Sequence, residues 1–149
     1  GPATPPPTPA ASRYFLGALS VLRSMCNPLP PATDIEISTR MWLAEIEGSN
    51  PKSIALCLQV TAPTIGGTHV VGVDSTVYVT RSDGQSVTAD TPGERDELLR
   101  ELWSMAAHVL WDYSAMHLRL LASGLLHPGI ELPTSTPSPT LVFDAELNN

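Results

Sequence analysis

From Thr91 to Pro133 the chain reads as one long helix with a broken, apolar exit, and this stretch does most to limit the fold. Thr91 suits an N-cap, because its hydroxyl can accept an unpaired backbone N–H of the first turn. Pro92 fits the first helical position, and Glu94 completes a T-x-x-E capping box. Glu94, Asp96, Glu97 and Glu101 crowd the early turns, where the helix dipole favours negative charge. Leu98, Leu102, Met105, Val109, Tyr113 and Met116 form one apolar stripe at helical spacing, while Leu99, Trp103, Ala106, Leu110, Leu118 and Leu121 make the neighbouring faces apolar. A helix with more than one apolar face needs more than one partner. It is expected to pack on its own sheet and on a second subunit, with Leu102, Trp103, Met105, Val109, Leu110 and Tyr113 at the subunit interface. Ser123-Gly124 and His127-Pro128-Gly129 end it.

The residues before the helix alternate as strands do. Ile54, Leu56, Leu58 and Val60 share one face, with Ala55, Cys57, Gln59 and Thr61 on the other. Residues 69–80 predict a partner strand with a bulge at Asp74-Ser75-Thr76, reached through a hairpin loop containing Gly66-Gly67. Ile35 and Ile37 alternate against Asp34, Glu36 and Ser38, predicting a strand over 34–47 that Trp42-Leu43 interrupts with a bulge or bend. Gly48-Ser49-Asn50-Pro51 is a turn, and Asp83-Gly84 another. Residues 13–26 fit a helix or a strand. Asn27 to Ala32, with three prolines, predicts a crossover loop.

The two ends differ from this middle. Gly1-Pro2 has the form left by a tag-cleaving protease, and residues 3–12 are rich in proline, which reads as a tail. Residues 134–149 are rich in Pro, Ser and Thr, with one apolar cluster, Leu141-Val142-Phe143. The expected organisation is a tag remnant and tail over 1–12, one α+β domain over 13–133, and a second tail over 134–149.

The 149 residues suffice for one domain with a sizeable core, and aromatic residues at 5% make that core aliphatic. Fifteen acidic against eight basic residues give a net charge of −7, which disfavours nucleic acid and anionic membrane surfaces as partners. No apolar run approaches the roughly 18 residues of a membrane span. Cys26 and Cys57 stand far apart and without CxxC company, which favours a reducing, cytoplasmic setting.

Chemistry-bearing patterns are sparse. His108 and Asp112 lie one helical turn apart, but a third metal ligand at matching spacing is missing, and His117 falls on another face. The acids at the start of the helix are explained by its dipole. There is no G-x-S-x-G motif, Gly66-Gly67-Thr68 lacks the lysine of a phosphate-binding loop, and Lys52 is the single lysine. Trp42, Trp103 and Trp111 suit packing better than a ligand site. The expectation is no catalytic residue, no metal and no cofactor.

Four antiparallel strands, a proline-rich crossover after the first and one long helix resemble the SecB and SecB-like chaperones. The local match is Leu110-Trp111-Asp112-Tyr113 in the helix, then Leu125-Leu126-His127-Pro128-Gly129 and Ile130-Glu131-Leu132-Pro133 after it. The resemblance covers roughly residues 13–133 and tips 13–26 toward a strand. It implies a four-stranded antiparallel sheet packed against one long C-terminal helix. It also implies a homo-oligomeric, ATP-independent holdase that keeps unfolded polypeptide in apolar grooves for export or to protect an antitoxin. The groove residues it implies are Leu29, Ile35, Trp42, Leu43, Ile130 and Leu132. Two departures stand out. The family's acidic contact to the SecA motor falls near Gly72, with Asp74 close by, and Pro133, Pro137 and Pro139 break the region of the family's last helix. The alternative is a non-catalytic interaction module, such as a scaffold, a secretion-apparatus component or a viral structural protein, which the proline-rich ends favour.

Overall fold

A computed structural model describes residues 13–125 and 129–144. The readings of residues 1–12, and of the helix exit at 126–128, lie outside the described residues. Strands β1 (Tyr14–Pro28), β2 (Ser38–Glu45), β3 (Ile54–Pro63) and β4 (His69–Arg81) precede helix α1 (Pro92–Ser123), and a short β5 (Thr140–Leu141) follows it. The sheet order is β1-β4-β3-β2-β5. The first four strands pair antiparallel, while β5 lies parallel to β2, Arg40 opposite Thr140 and Met41 opposite Leu141. The α+β layout with one long helix is as expected, but the sheet has five strands and is mixed. The fifth strand comes from residues whose prolines suggested only a tail.

β3 and β4 form the centre because their side chains suit it. Leu56, Leu58, Val60, Val71, Val73, Val77 and Val79 are buried under the helix. The polar residues of β4 do not make a bulge, since β4 pairs with β3 in unbroken register from Val79 opposite Ile54 to Val70 opposite Pro63. Each is satisfied in place instead. Ser114 of the helix donates to Ser75 at 2.9 Å, and Thr76 donates to the Leu56 carbonyl at 3.1 Å. A buried hydroxyl with a partner costs little, so the strand has no need to bend.

The irregularities fall in β1, where the register shifts between Leu16 and Leu19 and between Val21 and Arg23. β1 extends through Asn27 and Pro28, two residues expected in the crossover loop. Pro28 is tolerated because β1 is an edge strand, where a missing N–H on the outer side breaks no ladder bond. β2 is shorter than the predicted 34–47 and regular from Ser38 to Glu45. Trp42-Leu43 therefore marks no bulge. The two side chains simply point to opposite faces, Leu43 into the core and Trp42 beside Cys57 on the far side of the sheet.

The helix begins as its sequence indicates. The Thr91 hydroxyl accepts the Glu94 N–H at 3.2 Å, and the Glu94 carboxylate accepts the Asp90 N–H at 3.1 Å. The box is thus displaced by one residue, to the position before the cap. Its buried residues include Leu98, Leu102, Ala106, Leu110, Ser114, Leu118 and Ala122, a run at intervals of four. Four residues turn about 40° past a full circle, so the buried face winds steadily around the helix as it crosses the twisted sheet.

Candidate protein-binding surface

That winding decides which apolar residues the fold leaves outside. The stripe Leu98, Leu102, Met105, Val109, Tyr113, Met116 follows one straight face, whereas the sheet follows a turning one. Leu98 and Leu102 are covered, Met105, Val109 and Tyr113 are half-buried at the margin, and Met116 is 49% exposed. Leu120, on the same side, is 63% exposed.

The expected interface residues divide accordingly. Leu102 and Leu110 are at 0% exposure between their own helix and the sheet, so their side chains are not available to a second subunit. Trp103, Met105, Val109 and Tyr113 keep exposed surface. Periodicity located the apolar faces but missed Met116 as an exposed position and Leu120 altogether. The four-residue run of small and apolar residues, Ala106 to Ala122, was the signal for them.

The exposed end of the stripe borders a groove. Val21 and Ser24 of β1, Val73 of β4, and His117, Leu120 and Leu121 of α1 line an open cleft of about 210 Å³. His117 stacks edge-on to Tyr113, ring centroids 4.6 Å apart, and its Nε2 is shielded without a hydrogen-bond partner among the described residues. A polar atom in that state gains from any donor or acceptor brought to it. On the same strand Leu22 is 62% exposed, and Phe15 is 60% exposed near one end. The outer edge of β1 pairs with no described strand. Arg13 and Glu101 form an ion pair that ties the start of β1 to the helix.

The expected groove residues do not form one surface. Leu29 donates its N–H to the Thr68 carbonyl, and Ile130 bridges Thr64. Both therefore sit at the β3–β4 hairpin end, beside Ile65, which is 59% exposed. Gly129 has φ 142°, and a side chain there would come within 3.1 Å of Ile65, so this close approach needs glycine. Ile35 precedes β2, whose first residue Ser38 pairs with Thr61 near that end, and Leu132 packs on the margin of the core. Leu43 is a core residue at 9% exposure and Trp42 lies across the sheet from it, so these two line no common groove with the other four.

Ionisable groups offer little chemistry here. His108 and Asp112 are exposed, and no cluster of three metal-ligating side chains occurs among the described residues. Burial raises the Cys57 thiol pKa, with a smaller push from the Asp74 charge and an opposing hydrogen bond to Thr76. A thiol in that setting is a poor nucleophile. Among the described residues no helix is long and apolar enough to cross a membrane.

The architecture is of the α+β class, one long helix packed on a mixed five-stranded sheet. A protein of unknown function from Streptococcus agalactiae superposes with a TM-score of 0.54 at 14% identity, over 83% of this chain and 99% of that one. The Mycobacterium tuberculosis Rv1957 SecB-like chaperone, solved in complex with a ChAD peptide from the Rv1956 HigA1 antitoxin, gives a TM-score of 0.48 at 11% identity, over 84% and 93%. No protein-family model matches the chain, and no curated protein does.

Proposed function

We propose that this protein is an ATP-independent holdase, a homo-oligomer that keeps apolar segments of unfolded or partly folded polypeptide from aggregating. The observation that carries the reading is the apolar stripe of α1 leaving its own sheet. Met116 and Leu120 stand in water beside the half-buried Tyr113 and the cleft under His117. Covering a large apolar side chain contributes about 1.5–3 kcal/mol. Two such residues with their margin suit assembly or reversible binding and give a folded monomer no benefit. Apolar surface of this kind marks protein contact, and the −7 charge keeps such a surface soluble. The helix stripe serves assembly, and the hairpin end with Leu29, Ile65, Ile130 and Leu132 serves the client.

The test has two arms. Light scattering of the purified chain should give a mass above that of the 15.9 kDa monomer. A denatured client diluted into buffer should stay clear in its presence without nucleotide. A monomer that leaves the client to aggregate contradicts the proposal, and a monomer that captures a single stoichiometric protein supports the interaction-module alternative.

A further inference from the structure

One sheet edge is closed in an unusual way. After α1 the chain bridges Thr64 through Ile130, runs along β2 and returns to the start of the helix. This strap is held to β2 by a ladder of only two residues and by the Val142 N–H, which donates to the Met41 carbonyl at 2.8 Å. Val142 is 2% exposed, but Thr140 is exposed and Leu141 and Phe143 are half-buried. An ionic clamp finishes the contact. Arg95 donates to the Asp144 carboxylate at 2.5 Å and faces Glu45 at 3.5 Å, the Asp96 carboxylate accepts the Asp144 N–H at 3.0 Å, and Arg100 lies over the Phe143 ring at 4.6 Å.

Two features set this contact apart from the rest of the core. Pro133, Pro137 and Pro139 deny the preceding residues any regular structure of their own, so a handful of positions hold the strap. The slot also continues past it. Leu43, Ile54, Val87 and Ala89 line a narrow recess with Lys52, Glu45 and Arg95 at its rim, and Arg95 is the residue that holds Asp144. A strand edge with an apolar pocket and a fixed cation is how extended peptides are read, main chain for affinity and side chains for selection.

We propose that the outer edge of β2, from Arg40 to Glu45, is a docking slot for an extended polypeptide segment. Its occupant carries adjacent aliphatic residues, then an aromatic residue and a carboxylate, and residues 140–144 of this chain hold the slot in cis until such a segment displaces them. The inference takes from the holdase reading only that the chain binds polypeptide, and it concerns a different face from the helix stripe.

A fluorescent peptide with the sequence of residues 138–144 tests it against the full-length protein. A site blocked by its own strap binds an outside ligand with its intrinsic affinity multiplied by the fraction of molecules in which the slot is open. Asp144→Lys removes the clamp but leaves Arg95 in place, so the peptide should bind this variant about tenfold or more tighter than wild type. The Val142 amide should exchange faster in that variant. Val142→Pro, which removes the N–H that bonds Met41, should act in the same direction. Arg95→Glu should abolish binding in the Asp144→Lys background. The proposal is overturned by unchanged peptide affinity in both strap variants, by binding indifferent to Arg95, or by loss of the whole sheet when the clamp is cut, since the strap would then be part of the core. Peptide binding without protection of a denatured client would keep the slot and remove the holdase, and the reverse result would do the opposite.

Discussion

The two halves of α1 carry similar apolar residues and put them to different use. In the first half Leu98, Leu99 and Leu102 are sealed against the sheet, and in the second half Met116 and Leu120 face outward. Composition does not separate them. The buried face turns with each four-residue step while the sequence stripe runs straight, so the two coincide at the start and part company near Tyr113. A stripe that stabilises the fold at one end is therefore free surface at the other, and the same substitution should have opposite consequences along it.

The largest contrast is expected between Leu102→Asp and Leu120→Asp. A carboxylate at Leu102 has no partner in the core, and such a change exceeds about 4 kcal/mol, enough to unfold a chain of this size. At Leu120 the stability of the folded subunit should change by no more than about 0.5 kcal/mol, as for other surface changes, while the proposed oligomer dissociates. Thermal denaturation with light scattering on both variants checks this, and equal destabilisation would erase the difference between the halves.

Ser114 lies at the crossover between the two regimes and ties the helix to Ser75. Ser114→Ala leaves the Ser75 hydroxyl buried and unpaired, which should cost about 1–3 kcal/mol. The double variant with Ser75→Ala should recover part of that loss in urea titration. A smaller effect belongs to the helix start, where Thr91→Ala should cost about 1 kcal/mol, seen as faster amide exchange at Glu94. If exchange quickens equally at the far end, the halves are one cooperative unit.

The smallest effect lies on the other side of the sheet, where Cys57 is buried next to Trp42. Its folded pKa is raised above the ordinary 9.0, chiefly by burial. The folded state therefore holds this proton more tightly than the unfolded state does. The resulting stabilisation is present in full below pH 9.0 and is lost as pH rises through the folded pKa. Cys57→Ala should flatten the alkaline limb of the stability profile, and thiol titration should find Cys26 quick and Cys57 slow.

Much of this fold was legible because local patterns agreed with it. The alternation of Ile54 to Val60, the Thr91 cap and the Asp83-Gly84 turn each state their role within a few residues. What remained hidden depends on neighbours. Leu43 and Trp42 are adjacent apolar residues, and only pairing with β3 shows that one enters the core and the other does not. Leu141-Val142-Phe143 looked like a stray cluster among prolines because its partner strand, β2, lies about a hundred residues upstream. Of the surface residues, Trp103, Met105, Val109 and Tyr113 could be read from periodicity, whereas the exposure of Met116 and Leu120 follows from the twist of the sheet.

The two sheet edges extend the same lesson. The long edge of β1 remains unpaired among the described residues, with Leu22 and Phe15 exposed along it, while the edge of β2 is filled by the chain's own strap. An unpaired edge invites another strand. Under the proposed holdase reading, the edge of β1, open among the described residues beside an apolar helix face, is where a second chain would add, and the edge of β2 is where the strap would yield.

The central claim is tested most directly by the turbidity of a denatured client diluted, without nucleotide, into the wild-type protein and into Leu120→Asp. The account predicts that wild type holds the client in solution at near-equimolar concentration. The folded variant, whose subunits have separated and no longer present their client surfaces together, should do so markedly less well. Aggregation that proceeds at the same rate with wild type, variant or neither would contradict it.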